Sequence, residues 1–290
     1  MSGTPESHSA RYFALLYASA TERPALDALF GIEREVFDSL KPGLDHHVAH
    51  SRLQWWREEC ERAARGGAVH PLTRALIAAL GQTQAKSVPQ LAGLCGIVDV
   101  AIWDLASATF ETRRELEAYC QRWAAAMIEP LVGTPALAAS GSAALLASAG
   151  RTAAWHDLGA DICEIELLSG LAQEALSGRI RLPLDELETA KVDTTALAKM
   201  PWPEAVASLI RARLTSLRND IERNVIGLNP EQQHASRGLL VWAALSWRTA
   251  QRLEKALPNR LQPARFDAIS DAWFAWRIAR RATVGRFQVS

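Results

Sequence analysis

The sequence predicts an all-α protein folded as a single domain. Three observations predict it. Apolar residues recur at three- and four-residue spacing along almost the whole 290-residue chain. Alanine, the best helix former, is abundant, and alternating strand patterns are scarce. No repeat or low-complexity linker divides the chain, and its 49% hydrophobic residues suffice for one large core or two modest ones.

Each element has a local reason. Tyr12, Leu15, Leu16 and Ala20 give a first short helix. Pro24 suits the first turn of a second helix, where its missing N–H costs nothing; this helix runs to about Leu40. Lys41-Pro42-Gly43 breaks it. Asp45 is the expected N-cap of a third helix ending at Gly66-Gly67, and Pro71 starts a fourth. A fifth covers about 88–107. Thr112 followed by Glu115 reads as a capping box for a helix through Ile128. Pro135 opens an Ala-rich helix, and another runs from Thr152 to Leu176, stopped by Ser177-Gly178. Residues 179–202, with Pro183 and Pro201, read as a loop holding one helical turn. Three long helices, about 203–225, 230–256 and 263–283, complete the chain.

Composition narrows the function classes. Lys+Arg and Asp+Glu number 32 each, so no global basic footprint invites nucleic acid. Arg277, Arg280, Arg281 and Arg286 read as cations at a helix C-terminus. The four cysteines form no CxxC pair, which suits buried, reduced thiols better than a disulfide frame or a zinc site. Residues 1–13 lack an apolar core of signal-peptide length, and the longest apolar runs, such as 239–245, fall short of the ~20 residues of a membrane span. A cytoplasmic protein is expected. No P-loop, GxGxxG or GxSxG motif supports a nucleotide enzyme or a hydrolase.

Six ordered segments carry a resemblance. They are RPALDALFGIERE (23–35), RLQWWRE (52–58), His70-Pro71, Ile102-Trp103-Asp104-Leu105, ELEAYCQRWA (115–124), and GRIRLP (178–183) followed by Leu184-Asp185-Glu186-Leu187. Together they resemble the squalene/phytoene synthase family over roughly residues 11–282. The resemblance implies an isoprenoid (terpenoid) synthase-like helical bundle with a central cavity. It also implies head-to-head condensation of farnesyl or geranylgeranyl diphosphate, with Mg²⁺ held by two aspartate-rich motifs on facing helices. A diphosphate is a poor leaving group unless a cation neutralises it, and Mg²⁺ seeks carboxylate oxygens.

Those motifs are degenerate here. On the family frame, Phe37 and Lys41 fall where the paired aspartates of the first motif belong, and Asp38 survives beside them. In the second, Gly170 replaces the key aspartate, Glu174 retains a carboxylate and Glu166 replaces an asparagine. With RLQWWRE, this pattern resembles a divergent branch, that of the mitochondrial complex I assembly factor. A non-catalytic or repurposed protein is therefore expected, binding an isoprenoid or other lipid in the cavity, or a protein partner. If catalysis remains, Asp38, Glu166 and Glu174 are the candidates for catalysis and for Mg²⁺.

The remaining candidates are weighed by chemistry. Tyr119 and Arg122 lie on a helix that borders the prenyl pocket in the family, and Arg179 and Arg181 are candidates to hold an anion by bidentate hydrogen bonds. Asp157, Asp161 and Glu164 lie one turn apart on one helix and call for an arginine from another. His46 and His50 have i,i+4 spacing, but the glutamate and third ligand of a zincin are missing, so Asp45 reads as a cap of a solvated turn. Trp55 and Trp56 diverge by about 100° on a helix, so one packs inward and the other faces outward. Trp273, Trp276 and the neighbouring arginines are candidates for peripheral membrane contact.

Overall fold

The computed structural model describes residues 9–41, 43–81, 88–132, 142–259 and 267–289; within 142–152 it describes the backbone only. Thirteen α-helices are seen among these residues and no strand. They are α1 (Ala10–Tyr17), α2 (Arg23–Phe37), α3 (His46–Ala64), α4 (Pro71–Ala79), α5 (Gly96–Leu105), α6 (Arg113–Met127) and the single turn α7 (Glu129–Val132). After them come α8 (Ser142–Leu176), α9 (Leu184–Thr189), α10 (Glu204–Val225), α11 (Pro230–Ala235), α12 (Arg237–Ala256) and α13 (Asp267–Thr283).

Two helices organise the bundle. α8 packs on α6, α10 and α12, and α12 packs on α1, α10 and α13. From Gly238 to Trp247 every residue of α12 is buried, as an axial helix requires. α6 closes on α8 at Gly159, where a Cβ would lie 2.5 Å from Ile128 Cγ1 and 2.9 Å from Ala124 Cβ. Among the described residues, no helix is long and apolar enough to cross a membrane.

Many helix boundaries follow the local signals, and at two of them a distant residue intervenes. Asp45 caps α3 by accepting from the His47 and Val48 amides. Trp56 is buried and Trp55 is exposed. The capping box expected at Thr112 does not form. Asp185, 72 positions away, accepts from the Arg113 amide at 3.1 Å, and Glu115 turns to the Glu111 amide. The helix expected over 230–256 splits at Ser236. The buried Glu22 carboxylate takes the Gly238 and Leu239 amides at 2.9 and 3.0 Å, so a new helix starts there. Burial pushes Glu22 up to about 7, opposed by those same amides. The helix expected over 88–107 is a 3-10 turn (Pro89–Leu91) followed by α5. The helix from Thr152 is instead part of the longer α8; Pro135 and Pro263 lie outside the described residues.

Candidate functional site

α1, α2, α5, α6 and α8 enclose a cavity of about 540 Å³, within the range of small-molecule sites. Phe30, Phe37, Trp123 and Leu167 give it apolar walls, and Tyr119 reaches it from α6. Four carboxylates face it: Glu33 from α2, Asp104 from α5, and Glu166 and Glu174 from α8. Three arginines face them: Arg11, Arg34 and Arg181. The polar groups fall into two clusters.

The first cluster is built on Arg11. One guanidinium nitrogen donates both to Glu33 Oε1 at 3.1 Å and to Glu166 Oε2 at 2.6 Å. Trp123 Nε1 also donates to Glu33 Oε1, at 3.0 Å. The guanidinium lies over the Phe30 and Trp242 rings, 6.0 and 5.5 Å from their centroids. Burial disfavours the Arg11 charge, but Glu166 and Glu33 outweigh it and hold its pKa above the ordinary value. Glu166 is pushed up, because the hydration it loses at the cavity wall exceeds what Arg11 returns.

The second cluster is built on Arg181. Its guanidinium donates to Asp104 Oδ1 at 2.7 Å and to Glu174 Oε2 at 3.4 Å. Tyr119 Oη donates to the same Asp104 at 3.2 Å. Burial and the Asp104 charge both push the Tyr119 phenol well up, so it stays a donor. Arg179 adds a longer ion pair to Glu174 at 3.6 Å.

The structure thus places Glu166, Glu174, Tyr119 and Arg181 around one cavity and Arg179 at its margin. Asp38 is not among the cavity walls; it lies in a 3-10 turn after α2 and pairs with Lys41 at 3.0 Å. Arg122 is exposed on α6 and is also not among the walls. A Cβ at Gly170 would meet only Glu174 Cγ, at 4.0 Å, so this mid-helix glycine opens onto cavity space rather than a neighbouring helix. Arg11 is a cavity residue that sequence reasoning did not single out. Glu33, Arg34, Asp104 and Trp123 were quoted only as parts of segments.

The donor set does not suit Mg²⁺. Among the described residues, every carboxylate facing the cavity already pairs with an arginine, and one Arg11 nitrogen bridges Glu33 and Glu166 where a shared cation would have to stand. Among the described residues, no three carboxylate, histidine or cysteine side chains come together in a group able to hold a metal. His46 and His50 touch each other at 3.1 Å on the exposed start of α3.

The acidic residues Asp157, Asp161 and Glu164 of α8 resolve separately. Glu164 receives bidentate pairs from Arg113 of α6 and Arg213 of α10, which hold its pKa down despite burial. Asp161 accepts from Asn224 at 3.0 Å. They line a second, smaller polar pocket of about 250 Å³ with Asp157 and Asp220.

Two solved structures share this architecture. One is a dehydrosqualene synthase in complex with ligand, with a TM-score of 0.72 and 15% identity over 93% of this chain and 92% of that one. The other is the squalene synthase HpnC from Alicyclobacillus acidocaldarius, with a TM-score of 0.64 and 17% identity over 86% and 89%. At such identities the likeness speaks for the fold. No curated protein matches the sequence. The family model for squalene/phytoene synthase matches residues 4–270, and with the helical bundle and its cavity in place the chain belongs to the squalene/phytoene synthase family.

Proposed function

We propose that this protein is a non-catalytic member of its family that uses the cavity to bind an isoprenoid or another lipid. One observation carries the reading: arginines neutralise the carboxylates that a diphosphate-ionising site would reserve for Mg²⁺. Without a metal to neutralise the leaving group, a guanidinium can hold an anion but supplies no Lewis acid. Phe37, which stands where the family's first motif has an aspartate, is a cavity wall and adds apolar surface there. Apolar walls with a few convergent polar groups suit a molecule with an apolar body and one polar end. An assembly-factor-like role, in which the loaded protein meets a protein partner, is compatible with this use of the cavity.

Two measurements test the proposal. Purified protein is incubated with labelled farnesyl or geranylgeranyl diphosphate and Mg²⁺, and products are analysed. No condensation product is expected. Mg²⁺-dependent turnover that disappears in a Glu166→Ala/Glu174→Ala variant would overturn the reading in favour of a prenyl-diphosphate transferase. Separately, a fluorescent prenyl or fatty-acyl probe is titrated. Binding is expected in the native protein and lost in Gly170→Phe, which fills the open space beside Gly170. Equal binding by both proteins would remove the cavity from the proposal.

A further inference from the structure

The outer face of α13 carries an exposed apolar stripe. Ile269, Trp273 and Trp276 are 70%, 58% and 45% exposed. Their spacing of four and three places them on one stripe, and Arg280 continues it. Arg277 lies 5.2 Å from the centroid of Trp273, and Arg280 lies 5.5 Å from that of Trp276. Val284, 61% exposed, follows at the end of the helix. Singly exposed apolar side chains are ordinary, but here two tryptophans share a stripe with an isoleucine.

The charge contributed by this stretch of chain has one sign. From Ala272 to Ser290 the chain holds four arginines, Arg277, Arg280, Arg281 and Arg286, and no aspartate or glutamate. The acidic residues at the start of the helix are engaged on its other side, where Asp271 pairs with Arg248 at 3.1 Å and Arg252 at 2.8 Å, and Asp267 pairs with Arg252 at 3.6 Å. Asp271 therefore does not neutralise the outer stripe.

We infer that the outer face of α13 is a docking surface for an anionic phospholipid bilayer. The charge complementarity is specific to that occupant. Indole rings settle at the headgroup level, and arginine stems run along apolar surface while their heads meet lipid phosphates. The helix lies flat on the bilayer with the bundle behind it. Since α13 packs on α12 and α1, this orientation ties the bundle to the surface from which an apolar ligand would come. The inference stands on the exposed face and does not depend on what the cavity holds.

The test uses the full-length protein with sucrose-loaded vesicles of phosphatidylcholine alone or with 30% phosphatidylglycerol (on the order of the anionic content that gives a physiological surface potential). Co-sedimentation with the anionic vesicles, weakened by 0.5 M NaCl (on the order of a few Å of Debye length) and accompanied by a blue shift of tryptophan emission, is expected. Trp273→Ala/Trp276→Ala and Arg280→Ala/Arg286→Ala are each expected to reduce it, the arginine pair by about tenfold or more, since each arginine near an anionic surface contributes about 1 kcal/mol. Both pairs are surface substitutions, and unchanged thermal melting confirms that the fold is intact. Absence of binding, equal binding to both vesicle types, or binding unaffected by either substitution would overturn the inference. So would a tryptophan-dependent dimer in sedimentation velocity without vesicle binding, which would assign the face to a second copy of the chain.

Discussion

Asp161 makes stability pH-dependent in a direction opposite to that of most surface carboxylates. It lines the small polar pocket between α8 and α10, where burial first, then the charges of Asp220 and Glu164, push its pKa up to about 8 from an ordinary 3.8. Arg213 and the Asn224 amide only partly offset this. The folded protein therefore keeps a proton that the unfolded chain releases, and stability falls as pH rises from about 4 to about 8. A shift of roughly four units corresponds to a ceiling of about 6 kcal/mol at 1.36 kcal/mol per unit. Asp161 is only partly buried and its pocket opens to solvent, so screening leaves on the order of 1–2 kcal/mol. Asp161→Asn removes the titration and preserves an acceptor for Asn224. Urea unfolding followed by circular dichroism from pH 4 to pH 9 measures it. The variant should match the native protein near pH 4 and exceed it progressively, reaching a plateau just above pH 8. A stability difference independent of pH, or a variant weaker than the native protein at pH 8.5, would refute the reasoning.

Four further outcomes follow from the packing and the site. Glu164→Ala strands the guanidinium groups of Arg113 and Arg213 and should cost about 3–5 kcal/mol in urea unfolding, the range for breaking a buried pair. Gly96→Ala would put a Cβ 2.2 Å from the Arg122 carbonyl oxygen and force α5 from α6; a loss of about 3 kcal/mol is expected from such overpacking. Arg11→Ala uncovers Glu33 and Glu166 together, so Mg²⁺ should raise the Tm of the variant but not of the native protein. At ten times the dissociation constant the gain is about 1.4 kcal/mol. Cys95 is half-buried, and its thiol is pushed down by Cys60 and Arg57, whereas Cys60, Cys120 and Cys163 are buried. Mass spectrometry after brief iodoacetamide treatment should find Cys95 alkylated first.

The carboxylates of the cavity show where legibility stopped. Glu166 and Glu174 were visible because the family frame places both in the second motif, and both line the cavity. What neutralises them was not visible. Arg11 lies 155 positions from Glu166, and Arg181 lies 77 from Asp104, so only the packing of α1 and the GRIRLP turn against α8 and α5 brings them together. Asp38 follows the same rule in reverse. It survives in the motif by sequence, but the 3-10 turn after α2 leaves it beside Lys41 and off the cavity wall.

By itself the sequence determined the helical class, most helix starts and the family frame. These depend on apolar periodicity, prolines and caps, which act within a few residues. Tertiary structure decided which helix ends are capped from afar, as Glu22 does for α12 and Asp185 for α6. It also decided which charge faces which across the cavity. Coulomb energy depends on distance in space and on exclusion from water, and neither is written in residue order.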